Sequence, residues 1–408
     1  MMRYKDIALF ETYPEFFVFI LFAFFIYSLI LYLDKILFFN KKRTIVIYCW
    51  HSLFCILYIF YSFYFVNDSV SYFKDSKYGG YLLDHTLSMN SIVFINKIFI
   101  NYFYFSYATL FLFYNFVGTL GLLFLDKSFR TLNHNNKLHT TFFSNLIIFL
   151  PSISFWSTSI GKDSLAFFSI SFICWSLISK NNVFLFFSFI LLLLIRPHHG
   201  FIFIICYFFT LIAHPDTSFI IKNNFYRIRM PLIIFTLFFF IFFLQKILFT
   251  VGLEEVYIGI LNFNFTAIIE TFKLRMYEYQ NLPDFKLGSG YVEIYKFDIF
   301  GLIINYLFRP LPMDVYSLLT LLSSLENLIL IFIFIYFFIF FSFKVYNKFY
   351  NVVFQTYFLL ALLPVSIFSP NFGIVARQKW LILIPLFLVF ISMINSNNLK
   401  NRKIPTNQ

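Results

Sequence analysis

Residues 16–34 read FFVFILFAFFIYSLILYLD, and no charged side chain occurs in this run before Asp34. About 20 apolar residues in a helix are long enough to cross the hydrocarbon core of a bilayer. Comparable apolar runs recur along nearly the whole chain of 408 residues. Backbone amides inside lipid must be paired within their own segment, so runs of this kind predict helices.

The composition also indicates that most of the chain lies in lipid. The chain is 60% hydrophobic and 12% charged, and its mean hydropathy is +0.80. A soluble globular chain carries about 25% charged residues. There is too little polar surface to coat a water-soluble particle of this size, which excludes a separate soluble catalytic domain. We therefore predict an all-α, polytopic integral membrane protein in which residues 1–408 form a single transmembrane domain.

Apolar length predicts eleven transmembrane helices. Their predicted ranges are 16–34, 45–66, 103–125, 141–158, 164–179, 183–195, 200–213, 231–251, 326–343, 350–368 and 379–395. The sixth and seventh are short, and they flank the polar break Arg196-Pro197-His198-His199-Gly200. They are either two short helices or one interrupted segment, and the second choice would change the parity of the count.

Basic residues orient these helices in the membrane. Short loops on the cytoplasmic side are enriched in Lys and Arg. The basic loops Lys41-Lys42-Arg43 and Arg227/Arg229 and the tail Lys400/Arg402/Lys403 fall on one side of the predicted topology. This places the N-terminus outside and the C-terminus inside. Two long extracytoplasmic loops follow, at 67–102 and 252–325, of which the second is the larger. We expect an amphipathic helix at 254–279 in the larger loop and an interfacial apolar stretch at 299–308.

Polar residues near the outer ends of spans are the first candidates for function, because charges at membrane depth are costly. Asp68 follows the second span, where a carboxylate can orient or deprotonate a sugar hydroxyl, and Tyr72 lies four residues later. Trp156 is either a sugar-stacking platform or an ordinary interfacial anchor. Lys162 is a candidate phosphate contact, and Asp163 is either a base or a helix cap. The alternative for Asp68 is an ordinary loop acid.

The break at 196–200 is the strongest single candidate. Pro197 and Gly200 predict an interrupted helix, and freed backbone groups are tolerated only where they line protein or water. The guanidinium of Arg196 stays charged and can bind two phosphate oxygens at once, which suits a diphosphate. His198 or His199 can serve as a base or as a phosphate donor. Adjacent histidines have poor metal-ligand spacing, so we predict no metal site and no cofactor.

Three further cations lie on the predicted outer face. Arg309 stands between an apolar stretch and a Pro-rich turn, and its alternative role is contact with lipid phosphates. Arg377 and Lys379 precede the predicted last span and break the sign bias of the outer face. An anionic ligand would explain them, and so would an interfacial anchor formed by Lys379 with Trp380. The set as a whole suits a polyisoprenyl phosphate or diphosphate with a sugar outside the bilayer.

Several of these segments resemble bacterial membrane proteins of polysaccharide assembly, of the O-antigen polymerase type. The resemblance rests on Asp-Ser-x-Ser-Tyr at 68–72, Asn115-x-x-Gly118-x-x-Gly121, 151–163, Arg196-Pro197-His198, 308–326 and Gly373-x-x-x-Arg377. It implies a polymerase that acts at the periplasmic face of the bacterial inner membrane. Such an enzyme transfers a growing glycan from an undecaprenyl-diphosphate carrier to another carrier-linked repeat unit and uses no sugar nucleotide.

The resemblance also implies roles for individual residues. Arg196, Arg309 and Arg377 would bind the diphosphate and stabilise its departing charge. The acceptor's base would be one of four residues, namely Asp68, Asp163, His198 or His199. The partners implied are the undecaprenyl-diphosphate-linked oligosaccharide, the lipid bilayer, a chain-length regulator and other polysaccharide-assembly proteins, with no nucleic acid.

Two alternatives stay open on the sequence alone. A multi-span glycosyltransferase that uses a polyprenyl phosphate would employ Asp68 as its catalytic acid or base, although paired acids are missing there. A flippase for lipid-linked oligosaccharides would bury cations midway along its spans, whereas Lys246 is the main cation within a predicted span.

Overall fold

The structure is a computed structural model, and it describes residues 7–37, 40–65, 67–79, 87–133, 138–213, 270–271, 274, 277–278, 296–340, 348–367, 369 and 371–400. The helices of this part are α1 (Tyr13–Leu37), α2 (Lys41–Tyr64), α3 (Asp68–Lys77), α4 (Leu87–Phe103), α5 (Tyr107–Leu132), α6 (Leu138–Ile148), α7 (Pro151–Ser157), α8 (Lys162–Ser179), α9 (Asn182–Ile195), α10 (Pro197–Ala213), α11 (Ile299–Phe308), α12 (Leu318–Phe340), α13 (Phe349–Ile367) and α14 (Phe372–Lys400). A 3-10 turn, Pro312–Asp314, separates α11 from α12.

Six helices in the described part are long and apolar enough to cross a membrane, namely α1, α2, α5, α12, α13 and α14. The pair α6 and α7 is bent by 40° and makes a seventh if it counts as one span. The helical class and the membrane character predicted from the sequence are therefore confirmed. The count of eleven stays a prediction. The predicted span at 231–251 and the predicted amphipathic helix at 254–279 lie outside the described residues, apart from a few isolated positions of the latter.

Several helices begin or end away from their predicted bounds. The last one begins at Phe372 and not at 379, so Arg377 and Lys379 belong to its first turns. Likewise α12 begins at Leu318 and not at 326. Hydropathy assigns polar residues to loops, whereas hydrogen bonding to a capping group decides where a helix starts. At α14 the side chain of Asn371 accepts a hydrogen bond from the amide of Gly373 at 2.7 Å.

Two predicted segments contain more structure than the sequence indicated. The predicted loop at 67–102 carries two helices, α3 and α4, which pack against each other. The predicted span at 141–158 is divided into α6 and α7 at Leu150, where Pro151 opens the second helix. Proline is tolerated in a first helical turn because its missing N–H would lack a partner there anyway.

The chain forms two compact units, residues 1–200 with 387–408 and residues 201–386. In the first unit α5 is the most enclosed element, and it packs against α8 and α2. A Cβ at Gly121 would meet the ring of Phe167 at 2.7 Å, so α5 and α8 touch closely at this point. In the second unit α11 packs against α12 and α13.

The surface of α1 is apolar as well as exposed. Phe17, Leu21 and Phe24 are all exposed, and the helix carries no charge between Glu15 and Asp34. A water-soluble monomer rarely exposes a contiguous apolar surface of this kind. Lipid is the solvent in which such a surface is stable.

Candidate functional site

A tight turn between α7 and α8 presents the first two candidate residues. Gly161 has a φ of +151°, and it directly precedes Lys162 and Asp163 in the first turn of α8. A Cβ at Gly161 would meet the ring of Tyr72 at 3.0 Å. Side chains with a Cβ avoid this backbone region, and the aromatic ring occupies the remaining space. Tyr72, which is buried in α3, therefore packs against the turn that carries Lys162.

Asp163 and Arg196 form an ion pair. Arg196 Nη2 donates to Asp163 Oδ1 at 2.5 Å, and the two side chains are 13% and 12% exposed. Arg196 is the residue that separates α9 from α10, and Asp163 lies at the start of α8. The pair therefore joins the ends of a helical hairpin, and it holds the guanidinium at the break between two apolar helices.

Two nitrogen donors at this place remain unused. Arg196 Nε is buried and makes no hydrogen bond within the described part of the chain. Lys162 is half-buried, and its ammonium forms no ion pair or hydrogen bond with any residue the structure describes. Burial and the charge of Arg196 lower the pKa of Lys162 to about 8, against the opposing effect of Asp68 and Asp163. A pair of cations with unused donors is suited to an anion.

The histidines follow Arg196 in the first turn of α10. The break is confined to Arg196, and the chain is helical from Pro197 onward, so the interruption predicted at Gly200 is wrong. The physical reason is that Pro197 occupies the first helical turn, where it fits. His199 is fully buried and His198 is exposed, with their ring centroids 4.6 Å apart. His198 lies within electrostatic range of Arg196 and Lys162.

Asp68 and Trp156 are the remaining predicted site residues in the first unit. Asp68 is exposed in the first turn of α3, and its charge acts electrostatically on Lys162. Trp156 is half-buried in α7, and its ring centroid lies 5.9 Å from that of Tyr58 and 5.1 Å from that of Phe155. Trp156 thus belongs to an aromatic cluster, and its contact with a sugar stays a prediction.

A buried polar network that the sequence analysis missed lies next to this turn. His51 Nδ1 is 2.7 Å from Asn115 Oδ1, and His51 Nε2 is 2.8 Å from Ser157 Oγ. A Cβ at Gly118 would come within 2.3 Å of the carbonyl oxygen of Ser157. The network ties α2 and α5 to the end of α7, four residues before Gly161. The signal that could have found it is a histidine inside the predicted span at 45–66.

Arg309 is held by partners of its own in the second unit. Its Nε donates to Asp314 Oδ2 at 2.9 Å, its Nη2 donates to Asp314 Oδ1, and its Nη1 donates to Asn305 at 3.2 Å. The guanidinium carbon lies 5.2 Å from the ring centroid of Phe372. The hydrogen bond from Arg309 holds the pKa of Asp314 below its ordinary value. Arg309 is therefore oriented before any ligand arrives.

Lys379 is buried, although the sequence placed it at the outer face. Its side chain is 1% exposed, and its Nζ donates to Asn327 Oδ1. Arg377 is half-buried, and its Nε donates to the carbonyl of Gly373 at 3.2 Å. An ammonium enclosed within a helix of spanning length needs polar partners, which explains the contact with Asn327.

The structure thus brings one predicted group together. Its members come from three separate stretches of sequence, and they are Asp68, Tyr72, Lys162, Asp163, Arg196, His198 and His199. Arg309, Arg377 and Lys379 belong to the second unit. Among the described residues, no three His, Cys, Asp or Glu side chains form a group that could hold a metal ion.

Comparison with known proteins adds no relative. No protein-family model, no curated protein and no solved structure matches this chain significantly. The function must therefore be argued from the site itself.

Proposed function

We propose that the chain is a membrane glycosyltransferase of the polysaccharide polymerase type. It joins undecaprenyl-diphosphate-linked repeat units at the periplasmic face of the bacterial inner membrane. The observation that carries the proposal is the pair of cations with unused donors, Arg196 Nε and the ammonium of Lys162. They lie beside carboxylates and histidines at the end of an apolar helical hairpin, where a lipid-linked diphosphate can be reached from the bilayer.

The chemistry assigns the cations to the leaving group. An acceptor hydroxyl attacks the anomeric carbon of the donor sugar, and the bond between that carbon and the diphosphate oxygen breaks. The electron pair leaves with the diphosphate, where Arg196 and Lys162 stabilise the developing charge. Asp163 fixes the guanidinium through the ion pair of 2.5 Å. A guanidinium that is already oriented loses little entropy when the anion binds.

The acceptor's proton needs a base within reach. Asp163 is engaged by Arg196, and His199 is fully buried. Asp68 and His198 have exposed side chains, and both lie within electrostatic range of Lys162. Of the four predicted bases, these two are therefore the ones we assign to the acceptor. The proposal retains an extracytoplasmic N-terminus, a cytoplasmic C-terminus and a chain-length regulator as partner.

One observation favours a second candidate function. Lys379 is buried within α14, a helix of spanning length. A flippase for lipid-linked oligosaccharides is expected to bury cations along its spans, because these would escort a diphosphate through the bilayer. A transferase that acts earlier in assembly, with Asp68 as acid or base, remains the near alternative.

The test is a glycan ladder on a gel. A strain that lacks the gene is complemented with wild type, Lys162→Ala, Arg196→Ala or the matched control Lys42→Ala, which removes an exposed cation at the start of α2. We expect the deletion to leave single repeat units on the lipid core. Wild type and Lys42→Ala should restore the ladder, whereas the other two variants should be expressed and fail. Loss of even the single unit in the deletion strain would instead assign the protein to transfer or flipping.

A further inference from the structure

Asn327 links two parts of the second unit through its one side chain. It is fully buried within α12. Its Nδ2 donates to the carbonyl oxygen of Pro310 at 2.9 Å, and its Oδ1 accepts from Lys379 Nζ. The amide thus uses a donor on one side and an acceptor on the other. It connects α14 to the turn that directly follows Arg309.

That turn decides where the guanidinium of Arg309 lies. Arg309 precedes Pro310, and its side chain is fixed by Asp314 and Asn305 on either side of the turn. Asp314 Oδ2 also accepts from the amide of Leu311 at 2.8 Å, which closes the turn. Holding the Pro310 carbonyl therefore holds the backbone from which the guanidinium extends.

The donor to the Asn327 carbonyl oxygen is a charged group, the ammonium of Lys379. The ammonium is enclosed, and Glu326, which is also buried, acts on it electrostatically. An enclosed ammonium that lacked its acceptor would carry the uncompensated cost of its desolvation. Lys379 therefore fixes the orientation of the Asn327 amide, because only the carbonyl end can accept from it. The opposite end must then point its N–H groups at Pro310.

We propose that Asn327 is a positioning residue, through which the buried Lys379 sets the place of Arg309. This inference rests on the proposed function and refines it. Lys379 touches no substrate itself, whereas Arg309 presents its guanidinium to an anion from a turn that Asn327 holds in place.

The informative variant is Asn327→Asp. Aspartate keeps an acceptor for Lys379 and forms an ion pair with it, so the enclosed charge stays compensated. A carboxylate cannot donate to the carbonyl of Pro310, and it places an oxygen against it. The fold should survive while the turn is released. Asn327→Leu removes both hydrogen bonds and serves as the comparison variant.

The first readout does not depend on catalysis. Purified full-length protein is treated with phenylglyoxal, and modification of Arg309, whose side chain is 30% exposed, is followed by mass spectrometry. We expect a several-fold faster reaction of Arg309 in Asn327→Asp, with an unchanged thermal midpoint. Arg43, which is paired with Asp126 in the first unit, is the internal control. An unchanged rate at Arg309 in a folded variant would overturn the positioning role.

The second readout separates positioning from direct contact. Glycan ladders are compared for Asn327→Leu, Lys379→Met and the double variant. If Lys379 acts only through Asn327, the double variant should be no worse than either single one. Additive losses would show that Lys379 has a contact of its own and would overturn the inference. If deletion of the gene leaves the ladder intact, the proposed function fails, while the reactivity of Arg309 still decides the positioning role.

Discussion

Raising the pH should weaken anion binding at Lys162 while it stabilises the unliganded protein. Burial and the nearby charge of Arg196 lower the pKa of this lysine to about 8, from an ordinary value of 10.5. Between these two values the unfolded chain binds the proton and the folded chain releases it. Stability that is linked to this group therefore rises with pH across that window. An anion needs the charged form, so its affinity changes in the opposite direction.

The size of the effect follows from the titration. One unit above its pKa, a group retains roughly a tenth of its protons. A bound anion favours the charged ammonium, so the apparent affinity should fall about tenfold for each unit above the pKa of the free site. Carboxylates and guanidinium groups do not titrate in this range. The slope therefore reports Lys162.

Thermal unfolding of the purified full-length protein measures both quantities. Sulfate is a suitable probe because its charge is constant in this range, and the ionic strength is kept fixed. The rise in midpoint on adding sulfate gives the affinity, and the midpoint without sulfate gives the stability. Lys162→Arg is the matched control, since a guanidinium stays charged throughout. Its affinity should be flat where that of wild type declines.

Two results would refute the reasoning. The first is that wild type and Lys162→Arg follow the same affinity curve, which would show that the lysine does not hold the anion. The second is that affinity and stability of wild type both rise with pH, because protonation of Lys162 should raise the affinity and lower the stability.

Three other substitutions test the packing and the ion pairs. Gly118→Ala should cost roughly 1–3 kcal/mol of stability, because the new Cβ would lie 2.3 Å from a carbonyl oxygen. Asp163→Asn should cost somewhat less than the ~3–5 kcal/mol of a fully buried pair, and adding Arg196→Gln should recover part of the loss. Asp314→Asn should be less stable than wild type at neutral pH, because the carboxylate that pairs with Arg309 is missing. Wild type loses the same stabilisation only in acid, as the pH falls through the lowered pKa of the Asp314 carboxyl.

Each of these has its own control. Gly373→Ala meets a single side-chain oxygen at 3.1 Å and should be tolerated better than the change in α5. If the double variant Asp163→Asn/Arg196→Gln is less stable than Asp163→Asn, Arg196 has another compensating partner. For the carboxyl at 314, the wild-type and Asn proteins should converge in stability at low pH, and a constant difference would contradict the assignment. All three are read as thermal midpoints in detergent.

Apolar length alone predicted the helical class, and it predicted α1 within three residues at either end. It missed the division between α6 and α7, because the predicted span at 141–158 included Pro151 and the serines at 152 and 154, where the hydropathy drops. The proline at 151 was visible, but proline is compatible with both a helix start and a bend. The early start of α14 was missed because hydropathy places polar residues such as Arg377 and Lys379 outside a span, whereas both are helical.

The site was predicted as separate clusters, and the structure joined the ones in the first unit. Lys180 has a φ of +63° and ends α8, so α9 returns antiparallel to it. Asp163 and Arg196 lie at similar distances along the chain from that turn, and this symmetry could have paired them. His51 was beyond such reasoning, because its partners lie on α5 and α7 and no spacing in the sequence relates them.

The shortness of α9 has a consequence for the lipid around it. Its 14 residues span about 21 Å at 1.5 Å per residue, which is well below the ~30 Å of a typical hydrocarbon core. The predicted membrane crossing of α9 ends directly at Arg196, so it would require a bilayer of ordinary thickness to thin locally or to admit headgroups that solvate the guanidinium. Acyl chain length then becomes a control parameter. Reconstitution in short-chain lipids should favour this protein, whereas thick bilayers should oppose the exposure of its guanidinium.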